Sequence, residues 1–274
     1  VTLKVSGTAV TATVSDNVDQ SFAAASLTLT LDGRVLDFQW DASKSALTAK
    51  LPAADGKLHR LTVTAADQSG NIGRASHDIQ PASSTDPEAP GYTGPFVDMT
   101  THWARAYTTY LYDMGVTNGV ETTEGLQFQP EKNITRGEFA LMVTRWMGLN
   151  PDDYAGVELP FADLASIPSW MLGGMKATYS LGILKGSLEG GVLMGRATAS
   201  ISRAEAMTIL GRTQARGYAE PELTFSDAGQ VPDWAAGYLR SLVGQGVITG
   251  NDNRIRPNDL LTRGEVAKLL YAML

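Results

Sequence analysis

Apolar and polar side chains alternate along the first part of the chain: Leu3 and Val5, then Val10, Ala12 and Val14, then Leu27, Leu29 and Leu31. A period of two predicts strands with one face buried. Asp32-Gly33 is a tight-turn pair leading into a run over residues 35–40. Beyond it Leu47, Ala49 and Leu51, and then Leu61, Val63 and Ala65, resume the alternation. About seven short strands with turn signals between them predict an all-β sandwich over residues 1–80.

Residues 81–95 break the pattern. Pro81, Pro87, Pro90 and Pro95 stand among Ser, Thr and Gly without apolar periodicity, which predicts a stiff linker. From Phe96 onward the period becomes helical, and landmarks recur. Phe96-Val97-Asp98, Phe161-Ala162-Asp163 and Phe225-Ser226-Asp227 open three units, 65 and 64 residues apart, and Trp103, Trp170 and Trp234 follow them. Next come Gly115-Val116-Thr117-Asn118-Gly119, Gly182-Ile183-Leu184-Lys185-Gly186 and Gly246-Val247-Ile248-Thr249-Gly250. Each unit reads as helix, Gly-rich loop, helix, with the first helix starting near its Trp and stopping at the first Gly. The second helices carry the apolar stripes Phe139, Met142, Val143 and Trp146, then Met207, Ile209 and Leu210, then Val266, Leu269 and Leu270. A helical pair of this size cannot bury its stripe alone, so the units are expected to pack on one another. The predicted fold class is therefore multidomain, an all-β sandwich followed by an all-α assembly of units 96–157, 158–220 and 221–274.

Ile134-Thr135-Arg136-Gly137-Glu138, Ile201-Ser202-Arg203-Ala204-Glu205 and Leu261-Thr262-Arg263-Gly264-Glu265 precede the second helices. A hydroxyl residue three positions before a glutamate, followed by an apolar run, is the signature of a capping box. Thr135, Ser202 and Thr262 are the predicted caps, with Glu138, Glu205 and Glu265 as their partners. Capping does not explain the arginine, because a cation in the first turn opposes the helix dipole by about 0.3–1 kcal/mol. Two readings stay open on charge logic. Arg136, Arg203 and Arg263 act with the helix-terminal N–H groups as anion receptors, or each pairs with an acid of a neighbouring unit and holds the units together. Under the first reading, loss of an arginine leaves stability almost unchanged.

Composition narrows the chemistry. The 274 residues include no Cys, which excludes disulfides, zinc–thiolate sites and thiol nucleophiles. His59, His77 and His102 form no helical His-x-x-x-His pair. A formal net charge of −7 argues against a nucleic-acid partner, so any anion site must be local. No run of about 18 apolar residues is present, and no membrane insertion is expected. Asp16, Asp67 and Asn71 can offer oxygens to calcium, yet Asp and Asn in turns ordinarily serve the turn itself. No metal site and no cofactor is predicted. The repeated glutamates already have a structural role, and no isolated carboxylate pair suits glycosidase chemistry, so this stretch is not expected to be an enzyme. The chain opens inside a strand pattern without a Met, which reads as a piece of a longer protein.

Three copies of the Phe-x-Asp opening, Trp-led helix, Gly-Val/Ile-x-x-Gly loop and Ile-Thr-Arg-Gly/Ala-Glu box, in register over residues 96–274, resemble the S-layer homology domain. The run from Thr62 through Val63, Ala65, Asp67 and Gly70 to Asn71 resembles the late strand and turn of bacterial immunoglobulin-like surface modules. The first resemblance implies a pseudo-threefold helical assembly with grooves between adjacent repeats. It implies non-covalent anchoring of a secreted protein to the Gram-positive cell wall through an acidic, often pyruvylated, secondary cell-wall polysaccharide, and so an extracellular place at the bacterial cell surface, cell wall or S-layer. It puts the groove arginine on Arg136, Arg203 and Arg263. A glycine-loop contribution falls on Gly119, Gly186 and Gly250, with Lys185 beside them, where missing side chains let a sugar approach the backbone. Trp103, Trp170 and Trp234 are expected in the core, and Asp98, Asp163 and Asp227 in turns or caps. The units also differ. Ser202 replaces Thr, Ala197 stands where the others have Pro130 and Pro257, and the second loop glycine precedes the arginine by 17, 17 and 13 residues. The three grooves are therefore not expected to be equivalent. Two other functions fit the same residues: a self-assembling S-layer module, and the C-terminal anchor of an upstream polysaccharide-degrading enzyme.

Overall fold

A computed structural model describes residues 1–16, 22–53, 58–79, 94–214 and 217–274; the proline-rich linker lies outside the described residues apart from 94 and 95. The alternating segment forms strands β1 (Thr2–Ser6), β2 (Ala9–Thr13), β3 (Leu27–Leu31), β4 (Arg34–Val35), β5 (Gln39–Asp41), β6 (Ala46–Lys50), β7 (His59–Ala66) and β8 (Ile72–Ile79). They pair antiparallel into two four-stranded sheets, of order β1-β2-β6-β5 and β4-β3-β7-β8. The apolar set of each period-two pattern meets the other between the sheets: Val10, Ala12 and Leu47 from one, Leu29, Leu61 and Val63 from the other, all buried. The Asp67–Asn71 turn closes on itself, with Asp67 accepting from the Asn71 N–H at 2.8 Å and from Asn71 Nδ2 at 2.6 Å. Those carboxylate oxygens serve the turn, and no group of three or more metal-ligating side chains occurs among the described residues.

The second part contains α1 (Arg105–Asp113), a hairpin of β9 (Val120–Thr122) and β10 (Gly125–Gln127), and α2 (Arg136–Trp146). Its second unit has α3 (Ser169–Ser180), a hairpin of β11 (Ser187–Glu189) and β12 (Val192–Met194), and α4 (Arg203–Thr213). The third has α5 (Asp233–Gly244), a single antiparallel bridge between Asn251 and Arg254 in the hairpin's place, and α6 (Arg263–Ala272). These strands correct the expectation of an all-α assembly. With six helices and four small sheets among the described residues, the chain is a mixed α/β protein. Strands of three residues, half of them turned to solvent, are too short for a period of two to register in the sequence.

Backbone pairing joins the units at the starts of α2, α4 and α6. Ile201 N–H donates to Ile134 O at 3.1 Å, Leu261 N–H to Ile201 O at 3.1 Å and Ile134 N–H to Leu261 O at 2.9 Å, closing a ring of three. All three side chains are fully buried, in one apolar cluster that runs through all three units. At the far ends of the same helices the chain meets the β-part. Thr62 Oγ1 donates to Leu274 O at 2.9 Å, Ile72 N–H donates to Gly217 O at 2.6 Å, and the Arg60 guanidinium lies 5.4 Å from the Tyr271 ring centre. Gly217 is required there, since a Cβ at that position would collide with Gly70 O.

Candidate functional site at the helix starts

An α-helix leaves its first four N–H groups unpaired, and here the protein fills all of them. The cap N–H of Thr135, Ser202 and Thr262 donates to Oε2 of Glu138, Glu205 and Glu265 at 2.8, 2.9 and 3.0 Å. In return each glutamate N–H donates to the cap hydroxyl at 3.3 Å. The two N–H groups between are taken by the loop of the next unit around the ring. Arg136, Arg203 and Arg263 donate to the carbonyls of Ala199, Asp259 and Lys132, and Gly137, Ala204 and Gly264 to those of Ala197, Pro257 and Pro130. No helix-terminal N–H is left for a ligand, so an anion at this ring can be met only by side chains.

The arginines close a second ring. Arg136 Nη1 lies 3.0 Å from Glu205 Oε1, Arg203 Nη1 2.9 Å from Glu265 Oε1 and Arg263 Nη1 3.7 Å from Glu138 Oε1. Each glutamate thus turns one oxygen to its own cap and the other to its neighbour's arginine. The inter-unit pairing that charge logic allowed is present at all three positions. Removing an arginine therefore breaks a shielded ion pair, which overturns the expectation that stability would hardly change.

The three arginines differ in what else they touch. Arg203 Nε donates to Ile255 O at 3.0 Å, and Arg263 Nε to Phe128 O at 2.8 Å, with its guanidinium 4.9 Å from the Phe128 ring centre. Arg136 Nε is buried and has no partner. Burial pushes both Arg136 and Arg263 below the ordinary arginine value. At Arg263 the charges of Glu138 and Asp98 oppose that shift; at Arg136 Glu205 opposes it while Arg196 and Arg212 add to it. Arg136 thus has two further arginines near it, one of which, Arg196, makes its own 3.4 Å contact to Glu189.

Asp98, Asp163 and Asp227 position the loops. Their carboxylates accept the N–H groups of Phe128 and Gln129, of Gly195 and Arg196, and of Ile255 and Arg256, at 2.7–2.9 Å. Two of those loops supply the carbonyls held by Arg263 and Arg203. Burial works against the Asp227 charge, yet the N–H donors hold its carboxyl below the ordinary value. Gly119, Gly186 and Gly250 adopt φ of 72°, 77° and 70°. A Cβ there would meet the opening rings of Phe96, Phe161 and Phe225, at 2.6 Å for Gly119 and 2.7 Å for Gly186. Missing side chains at these glycines thus serve the chain's own packing. Lys185 is exposed.

The tryptophans are not in the core: Trp103, Trp170 and Trp234 are 46%, 56% and 54% exposed. Trp103 precedes α1 and the other two stand in the first turn of their helices, where the stripe pattern does not reach. Trp170 adjoins Met171, whose sulfur lies against Gly137, the residue after Arg136. Sequence reasoning missed Arg196 and Arg212, although each recurs in one other unit: Arg256 matches Arg196 before the Ala197/Pro257 position, and Arg145 matches Arg212 nine residues after the motif arginine.

Parts of the chain are similar to known proteins. Residues 95–140 and 224–267 match the model of the S-layer homology domain. The chain is 29% identical over 189 residues to an amylopullulanase of Thermoanaerobacterium thermosulfurigenes, covering 67% of this chain and 10% of that protein. It is 28% identical over 185 residues to the exoglucanase XynX of Acetivibrio thermocellus, covering 65% and 16%, and 26% identical over 202 residues to an endoglucanase of Bacillus sp. (strain KSM-635), covering 70% and 20%. The chain therefore spans a tenth to a fifth of the length of these relatives. Two of its segments, each holding a Phe-x-Asp opening, are similar to the S-layer homology domain, a module that points to attachment at the cell wall.

Proposed function

We propose that units 96–157, 158–220 and 221–274 are three S-layer homology repeats that fasten a surface protein to the bacterial cell wall, with residues 1–80 as an immunoglobulin-like spacer. The ligand is an acidic, pyruvate-bearing wall polysaccharide held in the grooves between units, at Arg136, Arg203 and Arg263 with the loops of Gly119, Gly186, Gly250 and Lys185. One observation carries this reading: in a chain of net charge −7, Arg136 keeps a buried, partnerless Nε–H beside two further arginines. A ligand carboxylate would answer both the open donor and the neighbouring positive charges. Exposed Trp170 offers an apolar face to a sugar ring next to it. Grooves that are individually weak gain avidity of about 10²–10⁴ when linked on one chain.

The reading as C-terminal anchor of a polysaccharide-degrading enzyme draws on the relatives named amylopullulanase, exoglucanase and endoglucanase, of which the part similar to this chain is a minor share. In both versions this stretch binds and does not cleave.

The test is calorimetric titration of the chain with acidic wall glycan and with the same glycan stripped of its acid. Arg136→Gln should weaken binding by roughly ten- to a hundredfold, the worth of one charge-assisted contact. Arg136→Lys should rescue little, because an ammonium lacks the planar fork. Affinities are read where each variant is folded. Equal affinity for both glycans, or wild-type binding by Arg136→Gln, defeats the proposal.

A further inference from the structure

A second recess lies about 16 Å from the arginine ring, one length of α2 away. The C-terminal ends of α2, α4 and α6 frame it, and the outer face of β3 and β7 closes it, where Thr28 sits opposite Thr64. Its volume of about 290 Å³ falls just below the ~300–1,000 Å³ usual for small-molecule sites, which favour such domain boundaries.

Unmet hydrogen bonding marks this recess. Arg74 of β8 donates through Nη2 to Ala272 O at 3.2 Å, while its Nη1 is buried and without a partner. Trp146 Nε1, on the same recess, is also buried and partnerless. Thr28 and Thr64 add hydroxyls that can donate. Buried donors are seldom left open, and a guanidinium removed from water calls for a counter-charge. Arg74 has no carboxylate in ion-pair contact among the described residues, whereas Arg60 beside it is already paired with Asp78 at 2.7 Å. The helix C-termini oppose an anion only with partial charges. Arg74 carries a full charge, and its Nη2 already covers the end of α6. Convergent donors without a committed acceptor describe an oxyanion receptor.

We propose that this recess binds a carboxylate on a ligand of monosaccharide size, which accepts from Arg74 Nη1 and Trp146 Nε1 while its body lies against Met273 and Leu274. This site is separate from the arginine ring and stands without the wall-glycan reading.

The test titrates sodium glucuronate into the whole chain at constant ionic strength and follows the indole N–H resonances, with Trp146→Phe identifying the Trp146 signal. That signal should move saturably in the millimolar range and stay still with glucose or chloride. Arg74→Gln should weaken binding about tenfold or more, and Arg136→Gln should leave it unchanged. N-acetylalanine separates the sources of the carboxylate: preference for glucuronate assigns a sugar acid, and preference for N-acetylalanine a peptide end. If Arg74→Gln does not fold, calorimetry on Trp146→Phe replaces it, with a several-fold loss expected and unchanged affinity overturning the proposal. No saturable movement at tens of millimolar, an equal response to glucose, or tighter binding of inorganic phosphate would also overturn it.

Discussion

Arg136 and Arg263 hold the same place in near-identical pentapeptides, and each reaches the capping glutamate of another unit, yet the rest of their surroundings differ. Arg263 is boxed in by its own protein: Phe128 O on Nε, the Phe128 ring beneath it, and Glu138 and Asp98 nearby. Arg136 has one close carboxylate, an open Nε and two cationic neighbours. The local motif thus fixes a helix start and an ion pair in both cases. Residues outside the motif decide which arginine is satisfied by the fold and which has bonding capacity left over. A groove whose charge is already balanced has little to offer an anion.

The largest effect should come from removing the acid that each arginine leans on. Glutamine keeps an oxygen for the cap N–H, so Glu205→Gln and Glu138→Gln both spare the capping box while discharging the pair. Breaking a buried pair from one side costs about 3–5 kcal/mol, and the 23% exposure of the Glu205 side chain argues for the lower end, about 3 kcal/mol. Glu138→Gln should cost about 1 kcal/mol, since Arg263 keeps other partners and its pair is long at 3.7 Å. Urea denaturation of both variants measures the difference. Equal losses would mean that the surroundings of Arg136 and Arg263 do not matter energetically.

A smaller loss should follow when a loop is released from its aspartate. Asp227 holds Ile255 and Arg256, and Ile255 O is the acceptor of Arg203 Nε. Asp227→Asn turns an amide toward N–H donors and should cost about 2 kcal/mol at neutral pH. Because the folded-state carboxyl titrates below its ordinary 3.8, its contribution is complete above that value and is lost as the pH falls through the lower, folded one. Wild type and variant should therefore converge in stability as the pH falls through that lowered value, and a gap that stays constant with pH would refute the charged role.

Much of this arrangement can be read in the sequence, and what cannot is distant in the chain, too short to show a period, or an absence. The caps at Thr135, Ser202 and Thr262 depend on a partner three residues away, and the first helices end where Gly115, Gly182 and Gly246 stand, so both features are local. The ion pairs join residues 69 and 62 apart, and the aspartates reach loops about 30 residues downstream, distances over which no pattern in one sequence fixes a partner. The three-residue hairpins escape for lack of length. The open Nε of Arg136 is a matter of a missing acceptor, and absence leaves no signature in a chain.

The caps give a control that should not distinguish the two grooves. Thr135→Ala and Thr262→Ala each remove one hydroxyl acceptor from a glutamate N–H at 3.3 Å. Each should lower stability by about 1 kcal/mol. A difference between them larger than the usual error would show that the units differ in their backbone as well as in their side chains.

The smallest effect on stability should carry the most information about binding. Arg196 lies beside Arg136 with its side chain 45% exposed and only a 3.4 Å contact to Glu189. That exposed pair is worth little, and the repulsion of Arg136 offsets it, so Arg196→Gln should change stability by less than about 0.5 kcal/mol, toward a gain. The same substitution takes one positive charge out of the groove that is proposed to hold an acidic glycan. Affinity should fall a few-fold, its dependence on salt should flatten, and most of the change should lie in the association rate, as expected for a charge at the rim of a site. The cation near Arg263 is Lys132, which shares Glu138 Oε1 with it at 3.7 Å, so its charge is met by an acid that Arg263 also uses. Thermal melts set beside stopped-flow binding at two salt concentrations read both quantities from one variant. Stability and affinity moving together would return Arg196 to an ordinary surface residue, whereas a small gain in one with a loss in the other is what a cation at the rim of a ligand groove requires.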